Sequence, residues 1–371
     1  MKAVFEHKYL IWMNYKSHYQ RAFFAALREI GIDLVVCYYE ELPEDRKALG
    51  WSGAYDLLPG EIVVRASLED LNLIPDYCQR IHVVPGYGSS FTRVLTLHLC
   101  QEGCQWVHWS ERAHTGLRWW LSLPRKRWYA NLVNKYALGA FGQGELTLMD
   151  FTKWGIDPSK QAILSYAPAS CYIDAEPDNE SVVFCGNRKS FIFLGALTPR
   201  KGIDILLKAF AGLPGSCISN WCIVLVGVDK TNGDYQKLAV KLGIQDQVLF
   251  RGSVPASNIS SVLKVSDVLV LPSKFDGWGV VLNEAASLGM PLIASDRVGA
   301  AYHLIEPGCN GFRFKTDKIT SLQKTLKMYV DTPGLISKHG EKSKSIFIAY
   351  SPEAMAKRFV DTMTTWLSQS S

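Results

Sequence analysis

Two acids bracket a turn in the stretch KFDGWGVVLNEAASLG, with Asp276 standing before Gly277, Trp278 and Gly279 and Glu284 following eight residues after Asp276. Upstream, in FLGALTPRKG, Arg200 and Lys201 stand directly before Gly202. Cations at a turn can reach a bound phosphate. Glycines let the backbone adopt unusual dihedrals and approach a ligand closely. The N–H groups of Gly279, Val280 and Val281, at the start of a helix, offer an anion free donors and the positive end of the helix dipole. The chemistry these pieces suit together is anion binding, and the role of the two acids depends on what the turn holds. Each piece also has an ordinary account: Arg200 and Lys201 as solvated turn residues, FDGWG as a tight loop with Trp278 over the core, Glu284 as an exposed helix residue. The conjunction favours a site, because both segments follow strands and stand at corresponding strand ends.

The elements that must position these residues are legible in the second half of the chain. Short β-rich runs FIFLG (191–195), CIVLVG (222–227), QVLFRG (247–252), DVLVLP (267–272) and PLIAS (291–295) alternate with segments of helical period. After FIFLG, the residues Ile203, Leu206, Leu207 and Phe210 share one helix face. Strands that are apolar throughout and alternate with helices predict a parallel sheet covered on both sides. In such sheets ligands bind beyond the carboxyl ends of the strands. The first half repeats the pattern, with a helix over about 18–30, strands at DLVVCYY, EIVV, RIHVVPG and QWVHWS, and helical stretches near 92–100, 125–137 and 146–154. DAEPDNESVVFCGNRKS (174–190) is rich in turn-forming and charged residues and is expected to link the halves. Ser351 and Pro352 suit the start of a last helix carrying Met355, Phe359, Met363 and Trp366 on one face.

A length of 371 residues predicts two domains, and 48% hydrophobic with 20% charged residues is an ordinary folded composition. The net charge of +5 is too mild to argue for nucleic acid. Nine cysteines lie without a paired CxxC, so reduced thiols are expected rather than a zinc site. Charged residues interrupt the N-terminal apolar run, and no apolar stretch reaches the ~18 residues that span a bilayer. The expected location is the cytoplasm, with a peripheral position on the inner face of the cell membrane left open.

The segments GALTPRKG, DGWGVVLNE and SDRVGA, in that order, resemble the donor-binding domain of the retaining family 4 glycosyltransferases. The likeness runs through the NGFRF strand and the YSPEAMAKRF helix, over roughly 188–368; in the first half it rests on KWGIDPSKQAILSYAP, taken as helical. The resemblance implies the α/β GT-B fold, two Rossmann-like doubly wound domains facing a central cleft: an acceptor-binding domain over 1–174, a linker over 175–190, a nucleotide-sugar-binding domain over 191–350, and a terminal helix over 351–371 crossing back to the first domain. It implies that Lys201, with Arg200, neutralises the donor diphosphate, that Glu284 holds the ribose hydroxyls, and that Asp276 sits beside the donor sugar where the family usually has Glu. Gly277, Trp278, Gly279, Val280 and Val281 would hold the β-phosphate or the sugar by backbone groups, and residues around Gly252 would contact the base. Ala196 stands where many members have Arg, and the family's glycine-rich N-terminal loop has LIWMNYKSHYQ near its place. The implied reaction moves a sugar from a UDP- or GDP-linked donor to a saccharide or lipid-linked glycan with retention of configuration, in surface polysaccharide synthesis. No DxD triplet occurs, in keeping with an enzyme that uses neither metal nor other cofactor.

In the first half, QWVHWSERAH places Glu111 and His114 after a strand, near where the family has a histidine touching donor sugar or acceptor; both read equally as surface polar residues. His108, on the strand itself, is expected to be structural, and His18 to face the site or solvent. The stretch 118–129 mixes Arg118, Arg125, Lys126 and Arg127 with tryptophans, which suits an anionic membrane surface or a core with solvated cations at its edge. Two other classes share the architecture. A sugar-nucleotide epimerase would consume donor without acceptor, and a non-catalytic sugar-nucleotide-binding scaffold would bind nucleotide without turnover.

Overall fold

A computed structural model describes residues 2–47, 56–86, 88–113, 116–171, 175–316 and 318–370. The chain forms two compact units, one from Met1–Pro43, Ser52–Ala169 and Tyr350–Ser371, the other from Glu44–Trp51 and Ser170–Ala349.

The first unit is built on a parallel sheet of β1 (Lys8–Met13), β2 (Asp33–Tyr38), β3 (Glu61–Val63), β4 (Arg80–Val84), β5 (Trp106–Ser110), β6 (Gly139–Gly142) and β7 (Gln161–Ile163). Its order is β3-β2-β1-β4-β5-β6-β7. Tyr9, Leu10, Ile11 and Trp12 are consecutive on β1 and all buried, which requires cover on both faces. One face takes the helix His18–Glu29 through Phe23, Phe24 and Leu27. The same face takes the C-terminal helix Pro352–Ser370, whose Phe359 ring lies 5.4 Å from Tyr9 and 5.6 Å from Phe141. The other face is covered by Ser90–Gln101, Leu123–Tyr136 and Glu145–Trp154, packed through Leu95, Tyr129, Val133 and Phe151.

The second unit is a parallel sheet of β8 (Lys189–Leu194), β9 (Trp221–Val226), β10 (Val248–Gly252), β11 (Val268–Leu271), β12 (Leu292–Ser295) and β13 (Gly311–Phe314). Its order is β10-β9-β8-β11-β12-β13. Counted within the unit this is 3-2-1-4-5-6, the doubly wound order, and the chain reverses direction across the sheet between β8 and β11. The loops leaving those two strands therefore flank a crevice at their carboxyl ends. They are the loops that carry Arg200 with Lys201, and Asp276 with Gly277–Val281.

Three expectations about elements differ from what is observed. KWGIDPSKQAILSYAP is not one helix: the helix ends at Trp154, Gly155 takes a left-handed φ of 96° as its cap, and Gln161–Ile163 is a strand. Gly155 and Pro158 supply the stop that the apolar pattern obscured. The stretch expected to link the halves contains a helix, Asn179–Cys185, because the Asp178 carboxylate accepts the Ser181 N–H at 3.0 Å and caps it. The strands β1, β6 and β7 were not anticipated; β6 is only GAFG, too short and glycine-rich to announce itself.

Candidate functional site

The turn after β8 begins at Gly195 and reaches the helix Ile203–Ala211 through Gly202. Gly202 has φ 72°, and a Cβ there would fall 2.1 Å from the Pro272 carbonyl oxygen. The turn can therefore lie against the end of β11 only with glycine at this position. Arg200 and Lys201 stand just before it, and both reach the loop after β11. The Arg200 guanidinium donates to the Phe275 carbonyl at 2.7 Å, while the Lys274 N–H donates to the Arg200 carbonyl at 2.8 Å. The Lys201 ammonium donates to the Asp276 carboxylate at 2.5 Å, with both side chains about 85% shielded from solvent. Residues some 75 positions apart in sequence are thus laced into one cluster.

The loop after β11 is held from its other side by the SDRVGA segment. The Asp276 N–H donates to the Arg297 carbonyl at 3.1 Å, and the Ala300 N–H to the Trp278 carbonyl at 2.8 Å. Gly279, with φ 93°, faces Val298 so closely that a Cβ would fall 2.7 Å from its methyl group. These constraints deliver the chain to the short helix Val281–Ser287. Among the described residues no acceptor takes the N–H of Gly279 or Val280.

Glu284 lies on that helix and is buried, contrary to the plain account of it as an exposed helix residue. Its Oε2 has no hydrogen-bond partner among the described residues. Burial alone pushes its carboxyl up to about 8, so the group is largely protonated at neutral pH. A buried carboxyl with an unmatched oxygen costs stability in the folded chain. It is also an acceptor ready for a ligand hydroxyl. Beside it Cys171 donates its N–H to Ser287 Oγ at 3.0 Å, and burial, then the Glu284 charge, push the Cys171 thiol up to about 11.

Other expected positions fall as follows. The Trp278 indole is 2% exposed, donates to Asn283 Oδ1 at 2.8 Å and lies 5.4 Å from the His303 ring; its side chain belongs to the core, so only its backbone can meet a ligand. Gly252 ends β10 with φ 74°, and its carbonyl accepts the Gly227 N–H at 2.8 Å. Its neighbour Arg251 is committed to Asp178 at 3.0 Å and to Glu180 at 3.1 Å. Glu111 is exposed in the first unit after β5, and His114 lies outside the described residues. His108 is fully buried, with its ring nitrogens on Tyr129 Oη at 3.1 Å and Ser110 Oγ at 2.8 Å, and burial lowers it to about 3. His18 is likewise lowered by burial, to about 4. Sequence reasoning missed Ser273, whose hydroxyl donates to Asp276 at 3.4 Å, and Cys171 beside Glu284. Ser273 sits just past a strand end, which was the available signal. Cys171 carried none.

Residues 174–351 match the model of a family described as glycosyl transferases group 1. A D-inositol 3-phosphate glycosyltransferase of Streptomyces griseus is 29% identical over 185 residues, which are 48% of this chain and 39% of that protein. The lipopolysaccharide glucosyltransferase WaaG of Escherichia coli is 32% identical over 110 residues, 30% of this chain and 29% of that one. The chain thus spans well under half the length of these curated relatives. Among solved structures, Alr3699/HepE of Anabaena in complex with UDP superposes with a TM-score of 0.74 at 15% identity, covering 96% of this chain and all of that one. Sucrose-phosphate synthase of Thermosynechococcus elongatus gives 0.73 at 16% identity, covering 98% of this chain and all of that one. At this identity the likeness is one of fold: two doubly wound parallel sheets, as in GT-B glycosyltransferases.

Proposed function

Because residues 174–351 match the model of the glycosyl transferases group 1 family, we propose that this chain is a retaining glycosyltransferase of the family 4 type. It takes a sugar from a nucleotide-diphosphate donor and passes it to a saccharide or lipid-linked glycan acceptor in surface polysaccharide synthesis. The observation that carries the reading is Glu284, a buried carboxyl with an unmatched oxygen on the helix that follows the Lys201–Asp276 cluster. Ribose hydroxyls match that oxygen. Lys201 and Arg200 balance the diphosphate, which competes with Asp276 for the Lys201 ammonium. The N–H groups of Gly279 and Val280 add donors to the same charge. Asp276, released from Lys201, faces the sugar hydroxyls. UDP is the first nucleotide to try, since it is the one in the Alr3699/HepE complex.

The reaction this arrangement serves is heterolysis of the bond between the anomeric carbon and the phosphate. Negative charge grows on the departing diphosphate, and fixed cations and oriented N–H groups in a sheltered site stabilise that charge more than the ground state. Lys201 and Arg200 supply this without a metal, and the departing phosphate takes the acceptor proton on the face it leaves. Glu111 and His114 are the proposed contacts to acceptor from the first unit, and the backbone near Gly252 the contact to base.

The test is thermal unfolding with UDP, GDP, ADP and their sugar conjugates. A nucleotide at 100 times its Kd adds about 2.7 kcal/mol to the state that binds it. One nucleotide is expected to raise Tm in the native chain and to have no effect on Lys201→Ala or Glu284→Ala. An unchanged response in both variants would remove the donor site from this turn.

A further inference from the structure

Between Glu111 and Glu145 the chain has six basic residues, Arg112, Arg118, Arg125, Lys126, Arg127 and Lys135, and no acidic one. The whole chain carries only +5, so its positive excess is concentrated in this stretch. The fold sorts these side chains by direction. Tyr129, Ala130 and Val133 of the helix Leu123–Tyr136 face the sheet. Lys126 also turns inward, 4.7 Å from the Trp119 ring and 5.3 Å from the Trp154 ring. Arg125, Arg127 and Lys135 remain exposed. So do the apolar side chains beside them: Trp120 is 67%, Leu121 75% and Trp128 43% exposed. Of the stretch expected to be either membrane face or core, Lys126 and Tyr129 are buried, Trp119 and Leu123 are partly buried against the core, and Trp120, Leu121, Arg125, Arg127 and Trp128 are exposed within nine residues of one another in sequence.

We propose that this surface docks the chain on an anionic lipid bilayer, with Trp120, Leu121 and Trp128 in the interfacial layer and Arg125, Arg127 and Lys135 on headgroup phosphates. Clustered exposed apolar groups mark an interaction site. Tryptophan with an apolar neighbour settles at the boundary between headgroups and acyl chains, and adjacent cations add attraction to anionic lipid. A nucleic acid would use the arginines and stack bases on the tryptophans but leave Leu121 in water, so the bilayer accounts for more of the surface. No helix among the described residues is long and apolar enough to cross a membrane, so these helices lie on the bilayer. Docking here sets the first unit against the phase in which a lipid-linked acceptor resides. The inference nevertheless stands on this surface alone and does not depend on the transfer reaction.

Flotation of the full chain with vesicles tests it, without nucleotide. The chain is expected to float with phosphatidylglycerol-containing vesicles at low salt, to stay behind with phosphatidylcholine alone, and to be released by high salt. Replacing both arginines, Arg125→Ala with Arg127→Ala, should weaken partitioning about 25-fold, at roughly five-fold per basic group near the surface. Trp120→Ser with Leu121→Ser should abolish flotation while leaving the Tm response to nucleotide intact, which shows that the variant is folded. Failure to float with anionic vesicles overturns the proposal, whether or not an oligonucleotide binds. So does flotation that survives both variants.

Discussion

The residue that concentrates most of the site's chemistry is Glu284, and its energetics can be followed with pH. Its folded-state carboxyl is raised by burial to about 8, above the usual carboxylate range. A group raised in this way binds its proton more tightly in the folded chain than in the unfolded one. Its contribution to stability is therefore complete below the unfolded value and is lost as pH rises through about 8. The native chain should lose stability between pH 5 and pH 8 through this group. Glu284→Gln, which keeps shape and removes titration, should flatten that slope and be at least as stable at pH 8. Urea unfolding of both proteins across the range measures the difference, and identical slopes would mean that Glu284 is not buried as described. A contact between Glu284 and ligand hydroxyls favours the ionised carboxylate, so nucleotide-sugar binding should tighten as pH rises toward 8 in the native chain but not in Glu284→Gln. Lys201 is a different case. Its partner Asp276 holds it in the ligand-free site, so Asp276→Asn should leave the ammonium free and strengthen binding of UDP alone, even where sugar transfer is lost.

At the scale of elements, strands and helices were legible where one segment carried its own pattern. FIFLG, CIVLVG and the VLVLP that follows Asp267 carry no charged or polar side chain because both faces of β8, β9 and β11 are covered, and that requirement shows in sequence. GAFG shows nothing of the kind. Gly139 of β6 is small because the Trp366 indole lies on it, and a Cβ there would fall 2.4 Å from the ring. The reason for that glycine sits more than two hundred residues away. The site divides in the same manner: the glycines, the two cations and the two acids stood out as motifs, whereas the Lys201–Asp276 pair depends on a strand order that no local pattern encodes. The terminal helix can be tested directly. Phe359 is 1% exposed among Tyr9, Phe23 and Phe141, and Phe359→Ala should cost about 3–5 kcal/mol. Gly139→Ala should also lower Tm, unless Trp366 is shortened in the same chain.

The molecule as a whole has two sheets with separate cores, and the first core is assembled from both ends of the chain. Met355, Phe359, Met363 and Trp366 are all at most 4% exposed, and they pack with Tyr9, Phe23 and Phe141. The residues proposed to bind the donor, Arg200, Lys201, Asp276 and Glu284 among them, all belong to the second unit. Two perturbations should therefore act on different parts of the unfolding curve. Nucleotide stabilises only what contains its site, so in calorimetry it should raise the transition of the second unit and leave the first in place. Removing residues 351–371 deletes four large core side chains from the first unit. At several kcal/mol for each, the loss rivals the roughly 5–15 kcal/mol that holds a typical domain together. The truncated chain should lose the first transition and keep a second one that still responds to nucleotide. A single transition that moves with both changes would mean that the two cores unfold as one cooperative body, and the nucleotide response would then report on the whole chain.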